Sequence, residues 1–243
     1  MDRRDPAQAV EWLRMAALQG DTVCQTLLAK HYEFGDGVEQ DPELSVRWYR
    51  RAAEGGEPEA KCCLGWLMEH GKWADRDPEG AVELYRQAAE AGSERGLLLL
   101  AGCLLSGVGT QAAPEQAVRC YEKGAEAGSA QAMCNLGWCY EHGRGVAASP
   151  VRAAHWYRRA AEQEFPRGMF CLGVCCEEGI GQEPDREAAV RWYQQAADAG
   201  YPPAQCSLGE CLEYGVGVEK DDRRAAELYR QAAEGGSPRA MYQ

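Results

Sequence analysis

Apolar and polar positions along this chain follow the period of an amphipathic helix, block after block. Between Pro58 and His70, the residues Ala60, Leu64, Leu67 and Met68 stand at i, i+4, i+7 and i+8, on one helical face. Pro58 suits an opening turn and Gly71 a stop, so the pattern predicts a helix over Pro58–His70. A loop follows, in which Asp77 is placed as an N-cap and Pro78 as the first helical residue. From Pro78 to Ala91 the apolar positions Ala81, Leu84, Tyr85 and Ala88 are spaced i, i+3, i+4 and i+7, and Gly92 closes the segment. The two helices, A-type and then B-type, make one hairpin.

The hairpin recurs. Trp12, Trp48, Leu84, Cys120, Trp156, Trp192 and Leu228 are spaced 36 residues apart, each followed by Leu13 or by Tyr49, Tyr85, Tyr121, Tyr157, Tyr193 and Tyr229. Small pairs such as Ala52-Ala53 and Ala196-Ala197 come next, and glycine closes every unit except where Glu164 stands. A fixed period of this size means a repeat array. One hairpin cannot bury its apolar stripe alone, whereas stacked hairpins can. The expected fold is all-α: a right-handed α-solenoid of stacked 36-residue helix-turn-helix repeats. Residues 1–243 read as one continuous array of about seven units. It opens on a B-type helix at Pro6 and stops at Pro238–Gln243 within an A-type one, so the expectation is an array cut inside a repeat at both ends. Some units are irregular: Gly71-Lys72-Trp73-Ala74 replaces the usual Gly-x-Gly-Val loop, Gly107 to Ala113 carries no acidic N-cap, Gln163-Glu164-Phe165-Pro166 lacks the closing glycine, and the A-type helix from Ser93 to Ser106 is unusually apolar.

Charge narrows the partners. The formal net charge is −12, from 38 acids against 26 bases. Nucleic acid and anionic membrane both need a basic face, so neither is an expected partner. No apolar run approaches the roughly 20 residues that cross a bilayer. The opening Met1–Pro6 lacks the apolar core of a signal peptide. Of the 12 cysteines, Cys103, Cys139, Cys175 and Cys211 share one column. Neighbouring helices sit about 8–10 Å apart, beyond the roughly 7 Å between Cα atoms that a disulfide allows. These cysteines read as small core residues of a reduced, cytoplasmic protein.

The combination Ala60…Leu64-Gly65…Gly71, then Asp77-Pro78…Ala81…Leu84-Tyr85…Ala88-Ala89…Gly92, resembles the Sel-one-like repeat, a relative of the tetratricopeptide repeat with a longer loop. The loops Gly35-Asp36-Gly37-Val38, Gly143-Arg144-Gly145-Val146 and Gly215-Val216-Gly217-Val218 match its pattern, and the resemblance covers nearly the whole chain. It implies a tetratricopeptide-like superhelix that serves as a scaffold or adaptor. Cysteine-rich secreted members carry a disulfide between the end of B and the start of the next A. Residues such as Ala53 and Lys61 stand there in this chain, which points away from that subgroup.

Candidate chemistry is sparse. The Gly-x-Gly loops follow helices and recur in most units, so they read as helix caps rather than phosphate loops. His70 and His142 share a column, and Cys139, His142, Cys175 and Glu178 could suggest a metal. Zinc needs three or four convergent ligands, and repeat copying explains the column more simply. No cysteine has a distinctive neighbourhood that would make it a nucleophile. The expectation is a non-enzyme with no cofactor and no metal. The Arg50-Arg51, Arg86, Arg158-Arg159 and Arg230 column, with Glu54, Glu90, Glu162 and Glu234 four residues on, reads as a solvated face of i,i+4 pairs.

The sharpest functional expectation is a groove. In tetratricopeptide-like solenoids the A-type helices line the concave side. Aligned on Leu64-Gly65, their exposed stripe is Cys62, Trp66, Glu69 and His70. Its expected members are Trp66, Glu69, His70, Leu98, Gly102, Leu105, Trp138, Glu141, His142, Glu177, Glu213 and Tyr214. The groove would be acidic with aromatic islands, and Gly102 would leave a gap between Trp66 and Trp138 for an apolar side chain. A monomeric, non-catalytic scaffold holding a basic or extended peptide or protein fits this stripe best. The alternatives are a solenoid-based hydrolase or metal-binding protein, resting on the His/Cys/Glu columns, and a structural spacer in a larger protein.

Overall fold

Each A-type helix stops on the same local signal and four B-type helices start on an aspartate cap, while Ser149 caps α9 and Ala113 precedes α7; these signals set the architecture. The computed structural model describes residues 6–235, and Pro238–Gln243, the expected start of a further helix, lies outside them. Thirteen helices and no strand are found among the described residues. The A-type helices are α2 (Thr22–Phe34), α4 (Pro58–His70), α6 (Glu94–Ser106), α8 (Ala130–His142), α10 (Pro166–Glu178) and α12 (Pro202–Tyr214). The B-type helices are α1 (Pro6–Leu18), α3 (Pro42–Glu54), α5 (Pro78–Glu90), α7 (Pro114–Glu126), α9 (Pro150–Ala161), α11 (Arg186–Asp198) and α13 (Asp222–Glu234). The chain falls into two compact units, Met1–Cys120 and Tyr121–Gln243.

Every A-type helix ends on a left-handed glycine, as at Gly71 with φ 63°. The B-type helix then opens on a side-chain cap: Asp77 accepts from Gly80 N, as Asp41, Asp185 and Asp221 do in their own loops. The cap residue is pinned from behind, since Asp77 N donates to Met68 O at 3.0 Å and Asp185 N to Cys176 O at 2.7 Å. A loop held at both ends delivers the B-type helix back along its A-type partner.

Packing in the hairpin turns on one tyrosine. Tyr85 and Tyr193 are fully enclosed, and each lies against the glycine of the A-type helix in its own hairpin. A β-carbon added at Gly65 would lie 2.6 Å from Tyr85 Cε1, and one at Gly173 would lie 2.5 Å from Tyr193 Cε1. The Leu-Gly pair of the repeat is therefore a seat for an aromatic ring. Beyond the hairpin, α3 packs on α4 and α5 on α6 in the first unit, while α9 packs on α10 and α11 on α12 in the second. Successive A-type helices also touch, α4 with α6 and α8 with α10. The expected i,i+4 pairs are mostly not made: Arg230 does meet Glu234 at 2.7 Å, but Arg86 turns to Glu83 instead.

Candidate functional site

The outward stripe of an A-type helix is set by what its inward face must bury. In α4, Ala60, Cys62, Leu64, Gly65 and Leu67 are enclosed. Left at the surface along one face are Glu59, Trp66 and His70, at i, i+7 and i+11, with Cys63 buried between them. Two corrections to the expected stripe follow. Cys62 is fully buried, because it faces the next repeat, where its sulfur lies 3.8 Å from Ser93 Oγ. Glu69 is only half exposed, because its carboxylate turns sideways to accept from Tyr85 OH at 2.8 Å.

The tyrosine–glutamate bond recurs wherever the column holds a glutamate; in the hairpin of Tyr121, Leu105 stands there instead. Tyr49 donates to Glu33 at 2.7 Å, Tyr157 to Glu141 at 2.6 Å, Tyr193 to Glu177 at 2.7 Å and Tyr229 to Glu213 at 2.9 Å. The glutamate column thus completes the tyrosine seat. Burial, reinforced by the acceptor carboxylate, pushes these phenols far above their usual range, so they act as donors at every physiological pH. The sequence carries this pairing as a fixed separation of 16 residues, repeated down the chain, which the periodicity argument had not used.

In the first unit, Trp66 stacks on His70 with centroids 4.4 Å apart, and His70 Nδ1 lies 2.9 Å from the Trp66 carbonyl oxygen. Lys72 in the following loop sits 5.6 Å from the Trp66 ring centre and 4.1 Å from that of Trp73. Leu98 and Leu105 are half buried on α6, while Gly102 is exposed with open space where a β-carbon would stand. Across three A-type helices runs an ion ladder that was not expected: Glu59 Oε1 accepts from Lys30 Nζ at 2.9 Å and from Arg95 Nη1 at 2.6 Å. Burial alone would raise the Glu59 carboxyl, but the two cations hold it below its ordinary value. Lys30, Glu33, Phe34, Tyr49, Trp66 and Arg95 line a hollow of about 250 Å³. Glu59 and Arg95 occupy one column in successive repeats, so opposite charges 36 residues apart were the available clue.

In the second unit, Trp138 and His142 repeat the stack at 4.7 Å. Arg167, in the Glu59 column, donates to the neutral Asn135 Oδ1 at 3.1 Å. Glu178 and Tyr214 are exposed at the ends of α10 and α12, Tyr214 to 70%. Glu141, Glu177 and Glu213 are half exposed and tyrosine-bound.

All twelve cysteines are free thiols. Burial pushes Cys134 and Cys175 up to about 12 and Cys139 up to about 11. A thiol held that high is protonated and a poor nucleophile or metal ligand. Among the described residues no three of His, Cys, Asp and Glu converge to hold a metal, and no helix is long and apolar enough to cross a membrane.

A model of the Sel1 repeat matches the chain seven times, at residues 2–21, 22–57, 58–93, 95–129, 130–165, 166–201 and 202–237. No curated protein sequence matches it. Among solved structures, a protective antigen of uropathogenic Escherichia coli with an SLR fold is similar at 33% identity and a TM-score of 0.81, over 98% of this chain. That alignment takes in 51% of the antigen, so this chain spans about half its length. A Sel1 repeat protein from Oxalobacter formigenes is similar at 28% identity and a TM-score of 0.83, over 95% of this chain and 97% of that one. An immunity protein from Pseudomonas aeruginosa, 18% identical with a TM-score of 0.58 over 98% of this chain and 84% of its own, shares the fold. Proteins of this repeat class are in general non-catalytic scaffolds for protein interaction. With the tyrosine seat, the glycine stops and the 36-residue register all in place, the chain belongs to the Sel1 repeat family.

Proposed function

We propose that this chain is a non-catalytic scaffold that holds a basic or extended protein segment on the outward stripe of its A-type helices. The observation that carries this is the stripe of the second unit. Trp138 offers a half-exposed indole, and Glu141, Glu177 and Glu213 offer carboxylates already oriented by their tyrosines. A partner meeting these groups gives up little of its binding energy to order them. Arg167 on α10 donates to Asn135, while Glu178 and Glu210 add negative charge. Lysine and arginine side chains of a partner suit such a surface. In the first unit Trp66, Glu69, His70, Leu98, Gly102 and Leu105 would supply a more apolar contact of their own. The seven repeats are taken to work as one monomeric array. Buried thiols with raised pKa values support a role without catalysis, and so many free cysteines suit a reducing, cytoplasmic setting.

The test is binding of the whole chain to matched extended peptides, basic, neutral and acidic, by calorimetry. The basic peptide should bind tightest, and added salt should weaken it. Trp138→Ala should cost about 1 kcal/mol or more, the loss expected of a central aromatic contact. Equal affinity for all three peptides, or an indifferent Trp138→Ala, would remove the stripe as the binding surface.

A further inference from the structure

The loop after α4 departs from its sister loops where they all carry a second glycine. Gly37, Gly109, Gly145, Gly181 and Gly217 take left-handed φ values between 66° and 74° at the second glycine of their loops. Trp73 stands in that column and holds φ 62°. A residue with a β-carbon is strained there, and such strain persists where another interaction outweighs it. Lys72, in a column that also holds Asp36, Val108, Arg144, Ile180 and Val216, supplies that interaction. Its ammonium nitrogen is 4.1 Å from the Trp73 ring centre and 5.6 Å from that of Trp66. Trp66 is itself set by His70, whose ring stacks on it and whose Nδ1 reaches the Trp66 carbonyl. Two indoles thus converge on one ammonium group, and the group is the chain's own. The second unit provides an internal control: Trp138 and His142 keep the stack, but Gly145 stands at φ 74° where the second indole would be.

We propose that Trp66 and Trp73 form a two-walled aromatic site for the ammonium group of a lysine side chain on a partner protein, with Lys72 as its internal competitor. The site is already shaped around an ammonium on a four-carbon stem, and ring faces attract such a cation electrostatically. Both Lys72 and Trp73 are exposed, so a second lysine can approach as Lys72 swings out. Trp66 also lines the hollow beside Phe34 and Arg95, so a segment lying on the first unit's stripe would bring a lysine within reach. The inference rests on the scaffold reading only for the existence of a partner. Its own test uses synthetic peptides and the first unit's residues, so its failure leaves the second unit's stripe untouched.

The experiment follows the indole Nε1–H resonances of Trp66 and Trp73 in the full chain. Three Gly/Ser peptides are titrated, with a single central lysine, Nε-trimethyl-lysine or norleucine. Both cationic peptides should shift both resonances, and norleucine should not. Lys72→Ala should respond at roughly two- to fivefold lower peptide concentration, the effect of removing one exposed cation–π competitor. Trp73→Gly installs the residue that sister loops carry at this φ, so it should fold normally and lose the Trp66 response. The proposal is overturned if norleucine works as well as lysine, if Lys72→Ala binds no tighter than the natural chain, or if Trp66 still responds in Trp73→Gly.

Discussion

The two units build their A-type stripes from the same columns and arrive at different electrostatics. In the first, Lys30 and Arg95 reach from α2 and α6 to Glu59 on α4, so charge is balanced across neighbouring helices. In the second, the Glu59 column holds Gln131 and Arg167, and Arg167 meets the neutral Asn135 while acids gather along α10 and α12. Beneath both stripes the tyrosine, its glycine seat and its glutamate recur, as in Tyr85 with Glu69 and Tyr193 with Glu177. A repeat fixes where a side chain goes without fixing what charge it carries. The inward columns are held to one chemistry by packing, and the outward ones are free to diverge between units.

The largest effect should come from disturbing the shared layer. Gly173→Val in the second unit drives a side chain into the Tyr193 ring, since even a β-carbon would lie 2.5 Å from it. We expect a loss of about 2–3 kcal/mol in urea unfolding, the range for overpacking a tight core. The first unit holds Ala29 and Ala101 in the same column, both fully buried. There the reverse change, Ala29→Gly, should cost about 1 kcal/mol, as glycine does in a helix interior. A Gly173→Val protein as stable as the natural one would mean that the tyrosine seat is loose.

Next comes the divergent layer. Glu178→Lys and Glu210→Lys in the second unit should each weaken a basic peptide about tenfold, or about 1.4 kcal/mol. Arg95→Ala in the first should leave the same affinity within about twofold. Equal sensitivity in both units would erase the electrostatic difference between them.

How much of this could be read from the sequence differs by layer. The helix bounds Pro58–His70, the Asp77 cap and the Gly71 stop were all legible, because each rests on contacts within a few residues. The repeat register was legible too, because identical hairpins can bury their stripes only against each other. Side-chain direction within the stripe was less so. Cys62 and Trp66 are four apart and look like one face, yet the next repeat covers Cys62 while Trp66 stays half open. Glu69 was read as a solvated acid, since nothing local announces that a tyrosine 16 residues on will bind it. The Lys30–Glu59–Arg95 ladder joins residues 29 and 36 apart, a relation visible only once columns are compared for opposite charge.

A smaller effect separates the two strained loops. Glu164 in the second unit holds φ 56° where other repeats close on glycine, and Trp73 in the first holds φ 62°. Glu164→Gly relieves the strain and should raise stability by roughly 0.5–1 kcal/mol, net of glycine's extra freedom in the unfolded chain. Trp73→Gly relieves a similar strain but loses the contact with Lys72, so its gain should be smaller. Thermal unfolding of both variants makes the comparison. Equal gains would show that the Trp73–Lys72 contact adds nothing to folding.

The smallest effect is a pH dependence at Glu59 of the first unit. The Glu59 carboxyl lies below its ordinary value in the folded chain, because Lys30 and Arg95 outweigh the opposing effect of burial. A depressed carboxyl contributes stability that is full above the unfolded value and is lost as pH falls through the folded one. Glu59 is 36% exposed, so solvent screening limits the contribution to a few tenths of a kcal/mol. Glu59→Gln should therefore be slightly less stable than the natural chain at pH 6–7, and the difference should shrink as pH falls below the ordinary carboxylate range and the Glu59 carboxylate takes up its proton. Its counterpart in the second unit, Arg167→Gln, removes a cation that meets the amide of Asn135, and its small cost should not change over the same window. A Glu59→Gln difference that persists unchanged into acid would mean that the loss does not come from the carboxylate's charge, and the electrostatic contrast between the units would then have to rest on Glu178 and Glu210 alone.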